Sequence, residues 1–224
     1  MKFFIFYSIA FCLSLFFSIG LTPLVRHCAI KFGYVAKPRE DRWHKKTTGL
    51  LGGVSIFASF LLAWQIAAFA TGSYGDLIRP LLPVLLGAAA IFATGLIDDI
   101  FDLNPQYKLI FQVVIASSLV FFGFQLHWFE ARTANIVVSI FWIVGITNAF
   151  NLLDNMDGLA AGIAFISGFF LFIWLGLFPE AHILAPPSRI LLSAFLGSLL
   201  GFLIYNFNPA SIFMGDAGSL FIGF

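Results

Sequence analysis

Hydrophobic residues in this chain gather into seven long runs, at about residues 3–25, 49–71, 81–97, 109–124, 135–150, 159–178 and 190–207, and an eighth opens near 219. Crossing the hydrocarbon of a bilayer takes about 20 mostly apolar helical residues, with roughly 17 to 25 as the usual range. The pattern predicts an all-α, polytopic transmembrane helical bundle, one integral membrane domain over 1–224 with seven spans and the start of an eighth. The third and fifth runs are short enough for neighbouring helices, in place of lipid, to cover one of them. The first run exceeds the apolar core of a secretory signal, which is about 7–15 residues, and has no small-x-small cleavage pattern, so it reads as a retained span.

Composition agrees with lipid as the solvent. At 60% hydrophobic and 10% charged residues, with a mean hydropathy of +0.98, the chain has too little polar surface for a water-soluble globule. A formal net charge of +1 offers no basic field for phosphate backbones, which excludes nucleic acid as a partner. Cys12 and Cys28 have no metal-site or disulfide spacing and read as free thiols.

The polar segments between runs fall into two sets. Those at 72–80, 125–134 and 179–189 hold turn formers, single charges, His127 and His182, and suggest plain interfacial loops. The other four, at about 26–48, 98–108, 148–158 and 206–218, must share the opposite face, because each pair of helices returns the chain. The first of them carries Arg26, Lys31, Lys37, Arg39, Arg42, Lys45 and Lys46, seven of twelve basic residues, which makes this face cytoplasmic by the positive-inside rule. The same four segments hold Glu40, Asp41, Asp98, Asp99, Asp102, Asp154, Asp157 and Asp216, eight of eleven acidic residues, which charge sorting does not require.

Three of these segments have patterns suited to chemistry. Asp98 and Asp99 end an apolar run, where hydrating two adjacent carboxylates is costly and something must compensate them. Adjacent helical side chains diverge by about 100°, so Asp98 is expected to share a ligand with Asp102 at i+4 and not with Asp99. Pro105 is expected to break the helix, and Lys108 to stand in the first turn of the next span, near enough to meet a phosphate or these acids. A solvated helix end is the plainer alternative. In the second segment Asn148, Asn151, Asp154 and Asp157 recur every three residues before Gly158. Oxygen ligands of this kind suit magnesium, which keeps waters and substrate phosphates, whereas simple helix capping would need only one of them. Spacing of three drifts round a helix, so a break is expected near Asn155 or Gly158.

The third segment places Asp216 between glycines before a helix start, where backbone N–H groups could approach a phosphate while the carboxylate holds a cation. Phe213 beside it reads as packing or as a base-stacking ring. His44 to Gly53 joins a basic stretch to a glycine-rich helix start and suits an anionic ligand, or serves topology alone.

Asp98-Asp99, the Asn148 to Gly158 ladder and Phe213-Met214-Gly215-Asp216-Ala217-Gly218-Ser219, in this order and loop parity, resemble the motifs of the polyprenyl-phosphate N-acetylhexosamine-1-phosphate transferases. The resemblance runs from about residue 37 to the end. It implies transfer of a sugar 1-phosphate, most simply GlcNAc-1-phosphate, from a UDP-sugar donor to undecaprenyl phosphate in the bacterial plasma membrane, with release of UMP. Such enzymes start peptidoglycan, teichoic acid and O-antigen (lipopolysaccharide) intermediates. By the same resemblance Asp216 and Asn151 coordinate Mg2+, Lys108 contacts the diphosphate, Asp157 and Phe213 recognise and stack uracil, and Asp154 supports the nucleotide site. Asp98 deprotonates or orients the lipid phosphate and Asp99 acts beside it as the second catalytic residue.

Three departures from the family pattern stand out. Asn155 replaces a glycine in Asp154-Asn155-Met156-Asp157-Gly158, at a position expected to need positive φ. The prolines and arginine usual before the paired glycines are absent from Thr47-Thr48-Gly49-Leu50. The family continues through further helices and a histidine-rich loop, so the chain is expected to be C-terminally truncated at Phe224. Rival readings are a UDP-MurNAc-pentapeptide phosphotransferase of the same family, a cation-coupled transporter and an inactive fragment. Transporter acids usually sit near the bilayer midplane on broken helices, not at span ends on one face. The CDP-alcohol phosphotransferases fail on their arginine, since Asp157-Gly158 is followed by Ala161-Gly162. Oligomeric state is left open, a homodimer included.

Overall fold

A computed structural model describes residues 3–36, 48–178 and 185–224. Lys37, Arg39, Glu40, Asp41, Arg42, His44, Lys45, Lys46 and His182 lie outside the described residues. Eight helices follow in order: α1 (Phe4–Phe32), α2 (Gly52–Ala70), α3 (Tyr74–Phe101), α4 (Pro105–Phe121), α5 (Arg132–Leu153), α6 (Leu159–Leu177), α7 (Ala185–Asn206) and α8 (Gly215–Gly223). Between α1 and α2, β1 (Val35–Ala36) pairs antiparallel with β2 (Thr48–Gly49). Among the described residues six helices are long and apolar enough to cross a membrane, while α4 is apolar but has only 17 residues. The protein is a multi-pass membrane protein of all-α build, with each predicted run answered by a helix.

Helix ends differ from the hydrophobic runs where backbone geometry overrides side-chain polarity. Helix α1 continues past Arg26 and Lys31 to Phe32, because its hydrogen-bond ladder persists beyond the apolar stretch until Gly33 turns left-handed at φ 82°. Helix α3 starts at Tyr74 and carries Pro80 and Pro83 within it, so the loop expected at 72–80 shrinks to Gly72 and Ser73. A proline's fixed φ is helical, and packing in lipid tolerates the lost N–H. The third and fifth runs, expected to be short, belong to helices of 28 and 22 residues. Helix α8 begins at Gly215, four residues before the expected 219.

Two close approaches fix the bundle. On the α1–α7 seam a Cβ at Gly197 would fall 2.3 Å from the carbonyl oxygen of Phe11, and one at Gly201 would fall 2.6 Å from Ser18 Cβ. Small residues let backbones meet in this way where lipid supplies no hydrophobic drive between helices. The second approach seats α8, whose residues from Ala217 to Gly223 are buried. A Cβ at Gly53 of α2 would lie 2.2 Å from Gly218 N, and one at Gly95 of α3 would lie 2.3 Å from Asp216 O. The start of α2 completes this seat: Gly52 N and Gly53 N donate to the carbonyls of Phe213 (2.9 Å) and Met214 (2.7 Å), and Phe213 N donates to Gly49 O (2.8 Å). The paired glycines therefore hold the chain before α8. In the 44–53 segment, read as suiting an anionic ligand or serving topology alone, the N–H groups of Gly52 and Gly53 are bonded to main-chain carbonyls, and residues 44–47 lie outside the described residues.

Candidate active site

The last turns of α3 and α5 and the first turn of α4 meet the start of α8. Helix α3 delivers Asp98 and Asp99 in its last turn and stops when Asp102 turns left-handed at φ 54°. Asn104 caps α4 by accepting from Gln106 N (3.0 Å), with Pro105 at the first helical position, so Pro105 opens the next helix and does not break the last. This start places Lys108 in the first turn, as expected. Its Nζ donates to Asp98 Oδ2 at 2.7 Å and also to Asp216 Oδ2. Asp98 Oδ1 accepts from Leu103 N (2.8 Å). From α5, Asn151 Nδ2 donates to Asp216 Oδ1 (2.9 Å) and to Ser219 Oγ (2.8 Å).

Asp102 does not share the face of Asp98 on which a common ligand was expected. Asp102 caps the helix and is exposed, because leaving helical φ turns its side chain away from the face that Asp98 shares. Asp99 reaches α8 from another direction: its Oδ1 accepts from Asp216 N (2.8 Å) and its Oδ2 from Ala217 N (2.9 Å). The two N–H groups expected to receive a phosphate at this helix start are thus taken by Asp99. Lys108 is the single ammonium among the described residues that pairs with this cluster, against the carboxylates of Asp98 and Asp216 and with Asp99 beside them. Its side chain is 18% exposed, that of Asp98 9% and that of Asp216 29%, so water reaches the cluster only in part.

Beyond Leu153 the oxygen ladder breaks as expected. Gly158, at φ 71°, supplies the left-handed residue that opens α6. Asn155 does not have positive φ, so its substitution for glycine leaves the turn intact. Burial, and then the charges of Asp216, Asp99 and Asp157, hold the Asp154 carboxyl well above the ordinary carboxylate range. Asp157 Oδ2 accepts from Asn208 Nδ2 (3.1 Å) and Ala210 N (2.9 Å). Asn206 accepts from Gly158 N (3.1 Å) and donates to Ile212 O (3.0 Å), so the 154–158 turn and the 206–213 loop are tied together. Phe213, half-buried, lies on this loop two residues before α8.

One contributor was missed. Gln112, 2% exposed, accepts from Asn148 Nδ2 and joins α4 to α5 directly below Lys108 and Asn151. A glutamine at i+4 from Lys108 in an apolar run was the available signal.

Fold and site together define a multi-pass membrane protein with a carboxylate-rich cluster where four helices end or begin. Residues 81–224 match the family described as Glycosyl transferase family 4, and the chain belongs to that family. It is 34% identical, over 96% of its length, to the Bacillus subtilis protein called "Probable undecaprenyl-phosphate N-acetylglucosaminyl 1-phosphate transferase". It is also 34% identical, over 90% of its length, to the "Decaprenyl-phosphate N-acetylglucosaminephosphotransferase" of Mycolicibacterium smegmatis. A "Phospho-N-acetylmuramoyl-pentapeptide-transferase" of Bacillus cytotoxicus is 32% identical over 96% of the chain. The chain spans 60%, 54% and 70% of these three relatives, respectively.

Proposed function

We propose that this protein transfers a sugar 1-phosphate, GlcNAc-1-phosphate by preference, from a UDP-sugar to undecaprenyl phosphate at the cytoplasmic face of a bacterial plasma membrane. The observation that carries this reading is the Lys108 bridge between Asp98 and Asp216, set at helix ends where a lipid acceptor and a soluble donor can both arrive. An oxygen of the lipid phosphate attacks the sugar-linked phosphorus of the donor, the bond to the uridine phosphate breaks, and UMP leaves. Asp98 accepts or orients the proton of the attacking phosphate. Lys108 swings from its two carboxylates onto the diphosphate, where its charge meets that developing on UMP. Asp157 and Phe213, joined by the 206–213 loop, face the base, and Asp154 supports the nucleotide from the α5 end.

Mg2+ fits this donor set. Among the described residues no three His, Cys, Asp or Glu side chains form a protein-only cage. Magnesium uses one or two carboxylates together with substrate phosphates and water. Asp216 and Asn151 would hold it, Asn151 through its Oδ1, since its Nδ2 is the atom bonded to Asp216 and Ser219. Bound there, the ion supplies Lewis-acid stabilisation of phosphate charge.

The UDP-MurNAc-pentapeptide alternative has relatives of its own at 32% identity, but the names of the 34% relatives favour GlcNAc. Purified protein given radiolabelled UDP-GlcNAc, undecaprenyl phosphate and Mg2+ should form a labelled lipid. Label entering lipid only from the muramoyl-pentapeptide donor would decide for the alternative, and no labelled lipid from either donor would overturn the transferase reading.

A further inference from the structure

Asp98 and Asp99 are neighbours in sequence but do different work in the fold. Asp98 turns to the Lys108 ammonium, whereas both oxygens of Asp99 are engaged by consecutive main-chain N–H groups of α8. Those N–H groups have no cap from their own segment: Met214 precedes the helix and contributes no side-chain hydrogen bond. A carboxylate forked onto the first turn of a helix meets two orphan donors and the positive end of the dipole together.

The surroundings are shaped for that fork. Gly95, one turn before Asp99 on α3, allows α8 to touch the α3 backbone, since a Cβ there would lie 2.3 Å from Asp216 O. Gly215 leaves room on the other side. A Cβ at Gly215 would lie 2.7 Å from Asp99 Oδ2 and 2.9 Å from Oδ1, and its φ of +74° is one that other residues rarely adopt. The residue held by this grip is Asp216, whose side chain meets Lys108 and Asn151.

We infer that Asp99 is a positioning residue: it clamps the first turn of α8 from α3, and thereby holds Asp216 against Lys108 and Asn151, without touching substrate itself. The metal and rate consequences rest on the transferase reading above; the clamp does not. Partners that orient a metal ligand typically change metal affinity or activity by about 10–100-fold when removed.

The test compares wild type with Asp99→Asn and Gly215→Ala in the purified protein. Asparagine keeps one acceptor and sets an amide N–H2 against the other N–H, whereas Gly215→Ala leaves the Asp99 carboxyl intact but pushes it off α8. Mn2+ titration followed by electron paramagnetic resonance should show affinity about 10–100-fold weaker in both variants, with transfer restored toward wild type at saturating Mg2+. Amide hydrogen exchange should accelerate at 216 and 217 in both, and not in Asp98→Asn. Wild-type Mn2+ affinity in Asp99→Asn, with transfer still abolished at saturating Mg2+, would make Asp99 a chemical participant and overturn the inference. So would unchanged exchange at 216 and 217. Failure of the wild type to bind Mn2+ would sink the metal reading alone, and exchange would still decide the clamp.

Discussion

Polar side chains of the α1–α7 seam and those of the α3–α4–α5–α8 cluster both sit among apolar helices, but they find their partners in different ways. On the seam the donors are hydroxyls and the acceptors are main-chain carbonyls: Ser14 to Ala194 O at 2.5 Å, Ser18 to Ser198 O at 2.8 Å, and Thr22 to Ser18 O at 2.6 Å. Each of these three hydroxyls is met by an atom that every helix already carries, and the charge on the seam, the Arg189 guanidinium of α7, lies 4.5 Å from the centroid of the Tyr7 ring of α1. In the cluster ionisable side chains meet one another as well as main-chain N–H groups and the Asn151 amide, and the acids Asp98, Asp99 and Asp216 outnumber the Lys108 ammonium. Hydroxyls satisfied by backbone are complete without a ligand. Acidic side chains gathered in a poorly hydrated place mark function in membrane proteins.

The sharpest way to break this contrast is Asp216→Ala, which removes the acceptor shared by Lys108 and Asn151. Transfer of label to lipid is expected to fall about 10³-fold, on the scale of losing one preorganised electrostatic group. The size-exclusion profile should stay that of wild type. More than a tenth of wild-type transfer would place the cluster with the seam, as structure alone. On the seam the corresponding large effect is in stability. Gly197→Ala would set a Cβ 2.3 Å from the Phe11 carbonyl oxygen, and overpacking of this kind costs about 1–3 kcal/mol. Its thermal unfolding should shift downward while transfer per folded molecule holds.

Asp154 gives a pH-dependent sharpening. Its carboxyl is held well above the ordinary range by burial and by the charges of Asp216, Asp99 and Asp157. The folded state therefore binds this proton more tightly than the unfolded chain does. Ionising Asp154 lowers stability as pH rises from the unfolded value of about 4 through the folded one, and the full penalty persists above it. Asp154→Asn keeps the neutral shape. It should unfold at higher temperature than wild type near neutral pH, with the gap closing as pH falls toward about 4. A gap independent of pH would remove Asp154 from the electrostatics of the cluster.

The apolar runs made the helix count and the all-α class legible, since about 20 consecutive apolar residues have few other uses. Loop parity brought Asp98, Lys108, Asn151 and Asp216 to one end, and the fold joins these four by side-chain hydrogen bonds. The rest depended on facts without a local signature. That Asp99 and not Asp102 reaches α8 follows from Asp102 leaving helical φ and from Gly95 admitting a neighbour more than a hundred residues away in sequence. That Gly52 N and Gly53 N bond the carbonyls of Phe213 and Met214 was likewise not visible, because those partners lie more than 150 residues away in sequence. The loop expected at 72–80 ended on Pro80, yet α3 takes in that proline, because the preference of proline against helices in water is one that lipid and packing relax.

The smallest expected effect tests the other half of the contrast. Ser18 is fully buried, and its hydroxyl donates to Ser198 O across the seam. Hydrogen bonds between helices in a bilayer average only about 0.6 kcal/mol in double-mutant cycles, because the separated helices also find partners for the same groups. Ser18→Ala deletes the donor and leaves Ser198 O its place in the α7 ladder. The seam should therefore weaken by about 0.6 kcal/mol, well below the cost of Gly197→Ala, in thermal or denaturant unfolding. Mn2+ affinity and transfer should match wild type, since no bond of Ser18 leads to Lys108, Asn151 or Asp216. A loss comparable to that of Gly197→Ala would mean that hydroxyl bonding holds α1 to α7. A loss near the average, beside a large one for the added methyl group, would leave close backbone approach as the stronger determinant of the seam.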